Sequence, residues 1–520
     1  MTEPSSTAPP LPARPIPTSM AAVAGLVSGA LAVAVGMLVA AITDVVSPID
    51  AVGSEVIDRT PLWLKERAIE WFGTNDKLAL RIGIIAILAG AAALIGVAAL
   101  RRPWAGLAGF MVFGFVGALA AGHRPGQGPG AVVPSIIGAT VGAIVLRIAL
   151  RPRPVEVPGP SKAPLGWDRR RFLFTSGAAA VAATAATGVA RSLERGRVDD
   201  VRDATKNSLP PTGEPGLVES IPSGATVSPI TPFVTPADEF YRIDTALSFP
   251  RADRAKWAVD VKGMVDTPLR LTHDDLLALP QVERVVTLCC VSNEVGDEYV
   301  GNAVWRGVLL KDVLDRVGIQ SGAEQVYSTS LDGWTCGFPL ELATDGRDAM
   351  IALGMNGMAL PLEHGWPARL VVPGLYGYVS ATKWLSSIEL TTWDQQGYWV
   401  PRGWARLGPV KTQSRIDVPR GGTTIDAGAQ KIAGIAFAQH TGIAKVEVRV
   451  DDGDWQEARL GTDVTDDAWR QWVLEWQAPA GQHTIEVRAT DKSGYTQTAD
   501  RAPVAPDGAT GHHTIRVTAA

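Results

Sequence analysis

The sequence predicts a multidomain protein: an all-α transmembrane anchor, then an α+β domain, then an all-β sandwich. Three observations predict it. Long uncharged apolar runs are confined to the first 190 of 520 residues. Helical and strand patterns mix from residue 230 to 409, and short alternating strands follow to the end. A chain of this length exceeds one ordinary domain, so several units with separate cores are expected. The boundaries read as 1–190 for an anchor of about five helices, 191–229 for a linker, 230–409 for the central domain and 410–520 for the last.

The anchor rests on runs at 19–43, 82–100, 104–121 and 131–150, with a fifth from Phe172 to Ala190 after a cluster of arginines. Each is long enough to span a bilayer, and their abundant Gly and Ala suit close helix packing in lipid. The alternative, buried helices of a soluble core, must accommodate five such runs in succession. Basic residues in the short loops set an orientation. The acidic Asp44–Lys77 loop faces outward, and Arg101 and Arg102 mark a cytoplasmic loop. Arg147, Arg151, Arg153, Lys162 and Arg169–Arg171 crowd another cytoplasmic connector. Everything from about Arg191 onward then lies outside, which places the later domains on the extracytoplasmic side of the cell membrane.

Asp168-Arg169-Arg170-Arg171-Phe172-Leu173 before an Ala-rich run also fits an internal twin-arginine export signal. The plainer reading is a stop-transfer flank. His123 is the sole histidine before residue 200 and sits in a loop, and Met37 and Met111 are isolated, so no haem is expected in the anchor.

Residues 191–229 are charged, then rich in Pro, Gly and Ser, which reads as a tether. In the central domain Trp257–Val261 alternates as a strand, and Thr272 before Asp274 and Asp275 starts a capped helix. Val285–Cys290 is a buried strand running into a polar turn. In the last domain Lys445–Val450 alternates into Asp451-Asp452-Gly453, a hairpin signal, and Thr484–Ala489 and Thr514–Val517 repeat the alternation. Short strands and turns over about a hundred residues suggest an immunoglobulin-like sandwich, with no cysteine to bridge it. The net charge of −5 is spread out and gives no basic footprint for nucleic acid.

Three cysteines, Cys289, Cys290 and Cys336, are too few for a disulfide framework. Cys290 stands where an apolar strand meets a polar turn, a place for a metal ligand or nucleophile and equally for a buried structural thiol. Cys289 must point to the other face. Further on, the run Asn356–Gly374 holds His364 and Arg369 five apart across a Gly- and Pro-bounded turn, with Lys383-Trp384 beyond. Arg, His and Lys around tight turns suit a phosphate-bearing cofactor, although each alone reads as a surface charge or a satisfied core group.

Together these motifs resemble the sulfite oxidase family, in a membrane-anchored bacterial form. The resemblance is carried by Thr287–Asn293, Trp305-Arg306-Gly307-Val308 with Asp312-Val313-Leu314, His364–Gly374, Lys383-Trp384-Leu385 and Gln413-Ser414-Arg415-Ile416. It implies an α+β molybdopterin domain over about 231–413 and the family's dimerisation domain over 410–520. It implies a molybdenum–molybdopterin cofactor with Cys290 as the thiolate on the metal. His364 and Arg369 would hold the pterin and its phosphate, with Lys383 and the backbone of Ala381 and Thr382 closing over it. Ser330 would present a hydroxyl to the cofactor, and Asp238, Tyr241 and Arg242 would line the pterin from the lead-in segment. Tyr398 would match the tyrosine near the metal.

Two departures bear on substrate. The family places arginines beside the metal to bind a dianion. Here Arg242 is offset by one, which on a strand would turn it to the other face, and Glu294 and Val295 follow the ligand motif. The expected function is two-electron oxygen-atom transfer of sulfite oxidase type on a small molecule. A separate electron carrier, the lipid bilayer and a second copy of the chain are the expected partners. A reductase of sulfoxides or related oxides with the same cofactor, and a non-catalytic surface binding protein, are the other readings.

Overall fold

The computed structural model describes residues 16–520 apart from 73–75, 125–126, 152, 155–164, 167–168, 207–208, 210–229 and 251. The chain forms two compact units. One runs to Asp200 and includes Thr245–Ser248; the other comprises Val201–Asp244 and Phe249–Ala520.

The first unit is helical: α1 (Thr18–Thr43), α2 (Pro48–Arg59), α3 (Leu62–Phe72), α4 (Asp76–Arg101), α5 (Pro103–Gly122), α6 (Val133–Leu150) and α7 (Arg169–Lys206). Five segments are long and apolar enough to cross a membrane: Thr18–Thr43, Lys77–Arg101, Pro103–Gly122, Pro129–Leu150 and Arg169–Val198. The five apolar runs in the sequence fall inside them. Small residues let the helix backbones approach. A Cβ on Gly25 would collide with the Ala92 carbonyl, and one on Gly96 with that of Ala21, where α1 meets α4. Gly138 of α6 abuts the Ala32 carbonyl of α1 in the same way.

Two expectations change here. The segment from Asp44 to Lys77 is not an open loop, because it contains α2 and α3. Its start signal is local: Ser47 accepts from the Asp50 amide with Pro48 in the first turn. Its ends are charged, with Asp50 paired to Arg81 at 2.9 Å and Asp58 to Arg124 at 2.6 Å. The tether also starts later than residue 191, since α7 continues to Lys206. That charged stretch lacks proline and keeps a helical run of Glu, Arg and Asp intact, with Arg197 meeting Asp44 at 2.9 Å. Most of the remaining linker lies outside the described residues. Between α6 and α7 the short strands β1 (Arg153–Pro154) and β2 (Leu165–Gly166) pair antiparallel.

In the second unit one mixed sheet holds β3 (Ala258–Gly263), β4 (Leu269–Thr272), β7 (Gln325–Ser330), β8 (Thr335–Pro339) and β12 (Leu385–Thr391) in the order β4-β3-β12-β7-β8. Only the β3–β12 pairing in it is parallel. A second sheet holds β5 (Val282–Cys289), β6 (Val300–Leu309), β9 (Met350–Met355), β10 (Met358–Ala359) and β11 (Arg369–Val371), ordered β10-β9-β6-β5 with β11 also on β9. The helix His273–Ala278 begins at the expected Thr272, which forms a reciprocal capping box with Asp275.

The C-terminal region is built from two further sheets. The first contains β13 (Gln413–Val418), β15 (Gly428–Phe437), β18 (Arg459–Leu460) and β19 (Arg470–Ala478), ordered β13-β15-β19-β18. The second contains β14 (Thr424–Ile425), β16 (Ile443–Val450), β17 (Gln456–Glu457), β20 (Gly481–Asp491) and β21 (His513–Ala519), ordered β14-β21-β20-β16-β17. Alternate residues from both, including Ile432 and Trp472 against Val446, Val448 and Ile485, form one core. The Asp451-Asp452-Gly453 signal is realised as the β16–β17 hairpin turn, with Asp451 at φ 53°. Ile435, Phe437 and Trp469 of this region also join the core of the central sheets.

Candidate active site

Strand β5 delivers the cysteines. Val285, Val286, Leu288 and Cys289 are buried, and the ladder with β6 ends at the pair Cys289–Val300. Cys289 packs into the central core, whereas Cys290 is the first residue past the strand and is half-buried. Adjacent residues of a strand point to opposite faces, so one thiol is committed to the core. The Cys290 amide donates to the Tyr299 carbonyl at 2.9 Å, and the Asn293 amide donates back to the Cys290 carbonyl at 3.0 Å. The Ser292 amide reaches the Cys290 Sγ at 3.4 Å. Burial pushes the Cys290 thiol up, opposed by Ser292. Burial also pushes up the phenols of Tyr241 and Tyr376, with the two cysteines adding to it.

A turn of cations is built from the other end of the same sheet. The single helical turn Leu362–His364 stops at Gly365, whose φ of 118° favours glycine. A side chain there would also press on Lys383 at 3.2 Å. His364 and Arg369 are 4% and 6% exposed, and Arg369 donates to the His364 carbonyl at 3.2 Å. The guanidinium of Arg369 lies 4.9 Å from the centre of the Trp305 ring. Lys383 bonds Asp244 at 2.8 Å and the Glu363 carbonyl at 3.3 Å. Burial lowers Arg369 to about 10, Lys383 to about 8 and His364 to about 4. Neighbouring cations depress Lys383 and His364 further.

The lead-in segment joins these two parts. The Ala237 carbonyl lies 2.7 Å from His364 Nε2, and Phe240 packs edge-on to Trp305 and His364 at 5.7 and 5.5 Å. Tyr241 stacks on Phe240 at 5.2 Å. Residues 236–248 are turn and irregular backbone, not a strand. The face-parity argument for Arg242 therefore does not hold. Arg242 is exposed, pairs with Asp244 at 3.0 Å and covers Phe249 at 4.3 Å.

Other expected residues are placed as follows. Asp238 is exposed in the turn before Phe240. Ser330 ends β7 beside Leu385, and the next amide, of Leu331, donates to the Trp384 carbonyl at 2.8 Å. Thr382 is fully buried, and its hydroxyl lies 2.7 Å from Ser328 Oγ and 3.0 Å from Cys336 Sγ. The Ala381 amide and the Thr382 carbonyl bond Gly377 and Leu370. Tyr398 carries the Arg402 guanidinium over its ring at 3.7 Å and meets Trp399 edge-on at 5.1 Å. Glu294 is exposed on the turn after Cys290. Sequence reasoning missed Phe240 and Asp244 as site residues. Their aromatic and acidic types are unexceptional locally, although Phe240 and Asp244 do flank Tyr241 and Arg242.

An anionic cofactor fits these residues. Arg369 is buried with backbone carbonyls as its hydrogen-bond partners, and Arg242 and Lys383 share one carboxylate, Asp244. A phosphate-bearing group would supply the missing negative charge. Among the described residues no group of three or more His, Cys, Asp or Glu is placed to hold a metal.

Comparison with known proteins agrees with this chemistry. Residues 246–399 match the family described as the oxidoreductase molybdopterin binding domain. Mitochondrial sulfite oxidase of Rattus norvegicus is 30% identical over 321 residues, covering 52% of this chain and 58% of that protein. The chain thus spans somewhat over half the length of such mammalian relatives. Sulfite oxidase of Arabidopsis thaliana is 27% identical over 334 residues, covering 56% of this chain and 84% of the relative. The Bacillus subtilis protein named uncharacterized oxidoreductase YuiH is 35% identical over 158 residues, covering 30% of this chain and 76% of the relative. The chain belongs to the molybdopterin-binding oxidoreductases of the sulfite oxidase family.

Proposed function

We propose that the chain is a membrane-anchored molybdopterin-dependent oxidoreductase that transfers an oxygen atom in two-electron chemistry outside the cytoplasm. The observation that carries this reading is that one compact unit holds both a half-buried thiol at the end of β5 and a cluster of cations in which Lys383 and Arg242 share a single carboxylate. When bound, the molybdenum cofactor supplies the two-electron redox chemistry and the exchangeable oxygen. The chain supplies a soft thiolate at Cys290, whose proton leaves on ligation. Arg369, His364 and Lys383 hold the phosphate and pterin. Phe240 and Trp305 shield the cations from water.

The five apolar helices support the anchor, and the loop charges support exposure of residues after α7 on the outer side. The arginines at 169–171 fit a twin-arginine export signal, which would carry the outer part across with its cofactor inserted. We read residues 230–409 as the catalytic domain and 410–520 as an immunoglobulin-like dimerisation domain. Electrons would leave to a separate carrier.

A second direction of the same chemistry, reduction of sulfoxides, is favoured by the surroundings of Cys290. Glu294 is exposed on its turn, and Arg242 is held by Asp244, so a dianion gains little there. Molybdenum and pterin assays on native membranes test the main reading. Absence of both, or activity preserved in Cys290→Ser, overturns it in favour of a non-catalytic surface protein or a different enzyme. A panel of sulfite against neutral S-oxides separates the two directions.

A further inference from the structure

The order β10-β9-β6-β5 leaves β5, the strand that delivers Cys290, at the edge of its sheet. An edge strand presents unpaired N–H and C=O groups. Here the C-terminal region takes them up at Thr287, three residues before the thiol. The Thr287 amide donates to the Asp467 carbonyl at 2.9 Å, and its carbonyl accepts from Gln439 Nε2 at 3.1 Å. Its hydroxyl accepts from the Trp469 amide at 2.7 Å and donates to Asn302 Oδ1 at 2.9 Å.

The turn beyond Cys290 is held from the same side. Arg415 of β13 is 11% exposed and uses its guanidinium fork on three partners. It donates to Asp417 Oδ1 at 2.7 Å, to the Asp297 carbonyl at 2.9 Å and to Thr231 Oγ1 at 2.8 Å. Asp297 closes the turn through its amide on the Glu294 carbonyl at 3.1 Å. The ring of His513 packs directly on Gly296, where no side chain would fit and φ is +90°. That ring is fixed in turn by the Ile416 amide at 2.9 Å.

We infer that the C-terminal β region is the rigid support of the Cys290 turn, and that Arg415 is its positioning residue. A metal ligand must be held to within about 0.5 Å, and a half-exposed turn at a sheet edge does not provide that alone. The three-way bond of Arg415 ties the turn, the lead-in segment and the C-terminal region into one body. The functional meaning of this clamp rests on the reading of Cys290 as a metal ligand; its mechanical meaning does not.

The test is iodoacetamide labelling of the full chain produced without molybdate, with each cysteine followed by peptide mass spectrometry. Cys336, buried in the same unit, reports general loosening. Arg415→Gln should raise the labelling rate at Cys290 about fivefold or more while leaving Cys336 unchanged, because only the local opening is made easier. Arg415→Lys should fall between it and the wild type. Thr231→Val, which removes one of the three bonds, should give a smaller rise and decides the matter if Arg415→Gln does not accumulate. Arg449→Gln, which breaks a pair with Glu486 elsewhere in the region, should change neither cysteine. An unchanged Cys290 rate, or an equal rise at Cys336, overturns the inference. Labelling needs no metal, so it can fail while the molybdenum assay succeeds, and the reverse.

Discussion

In the helical unit the buried apolar residues are mostly alanine, whereas in the other unit large side chains fill the core. Gly25, Gly96 and Gly138 stand where any Cβ would strike a neighbouring carbonyl. In the second unit Trp305, Trp384, Trp469, Trp472 and Phe338 are nearly or fully buried. On the proposed reading that the helical unit lies in lipid, the difference follows from solvent. Water drives large apolar groups together, but lipid does not, so helices in lipid gain most from close approach. One unit should therefore suffer from added atoms and the other from removed ones.

The sharpest break of this contrast is Trp305→Ala. The indole is fully buried, bonds the Val286 carbonyl at 3.0 Å and floors Arg369. Loss of about 3–5 kcal/mol is expected, read as a lower denaturant midpoint for the second unit.

Acid should separate the units next. His273 is 2% exposed between Trp257 and Trp366, and its two ring nitrogens have no hydrogen-bond partner among the described residues. Burial, with Arg254 adding to it and Asp274 opposing, lowers it to about 4 from 6.5. The folded state thus prefers the neutral ring. Its contribution is complete above about pH 6.5 and is lost as pH falls towards 4, by at most about 3 kcal/mol. Thermal unfolding from pH 7 to 4 should show this slope, and His273→Phe should flatten it; an unchanged slope would assign the acid sensitivity to other groups.

Gly96→Ala in the helical unit adds one methyl at the α1–α4 contact and should cost about 1–3 kcal/mol, seen as loss of folded protein in detergent. An exposed glycine with open space, Gly90, serves as the neutral comparison. The smallest effect expected is Thr272→Ala, which removes a capping box at a short helix for about 1 kcal/mol, measured by the same denaturation.

Features that depend on near neighbours were legible in advance. The apolar spans, the Thr272 cap and the alternation of β16, β20 and β21 each lie within a few residues of their own signal. The misread stretches show the limits of the same rule. The charges of Asp44–Lys77 read locally as a loop although the segment holds two short helices, and strand parity does not apply to the lead-in segment, whose backbone is irregular. At the site, Cys290, His364, Arg369 and Lys383 stood out through motif chemistry. Phe240 and Asp244 did not, since their importance comes from what lies opposite them.

Periodicity and motif spacing are properties of contiguous residues, so the chain's order of apolar helices, mixed-sheet domain and β region could be read from the letters. Motif chemistry likewise marked one thiol and one cluster of cations. Whether they meet, and what holds the thiol still, depends on partners more than a hundred residues apart in the chain. Asp297 and Arg415 are 118 residues apart, and Asp244 and Lys383 are 139. Such contacts form only when the core has closed around both ends, which is why folding, and not pattern, joined the Cys290 turn to its support.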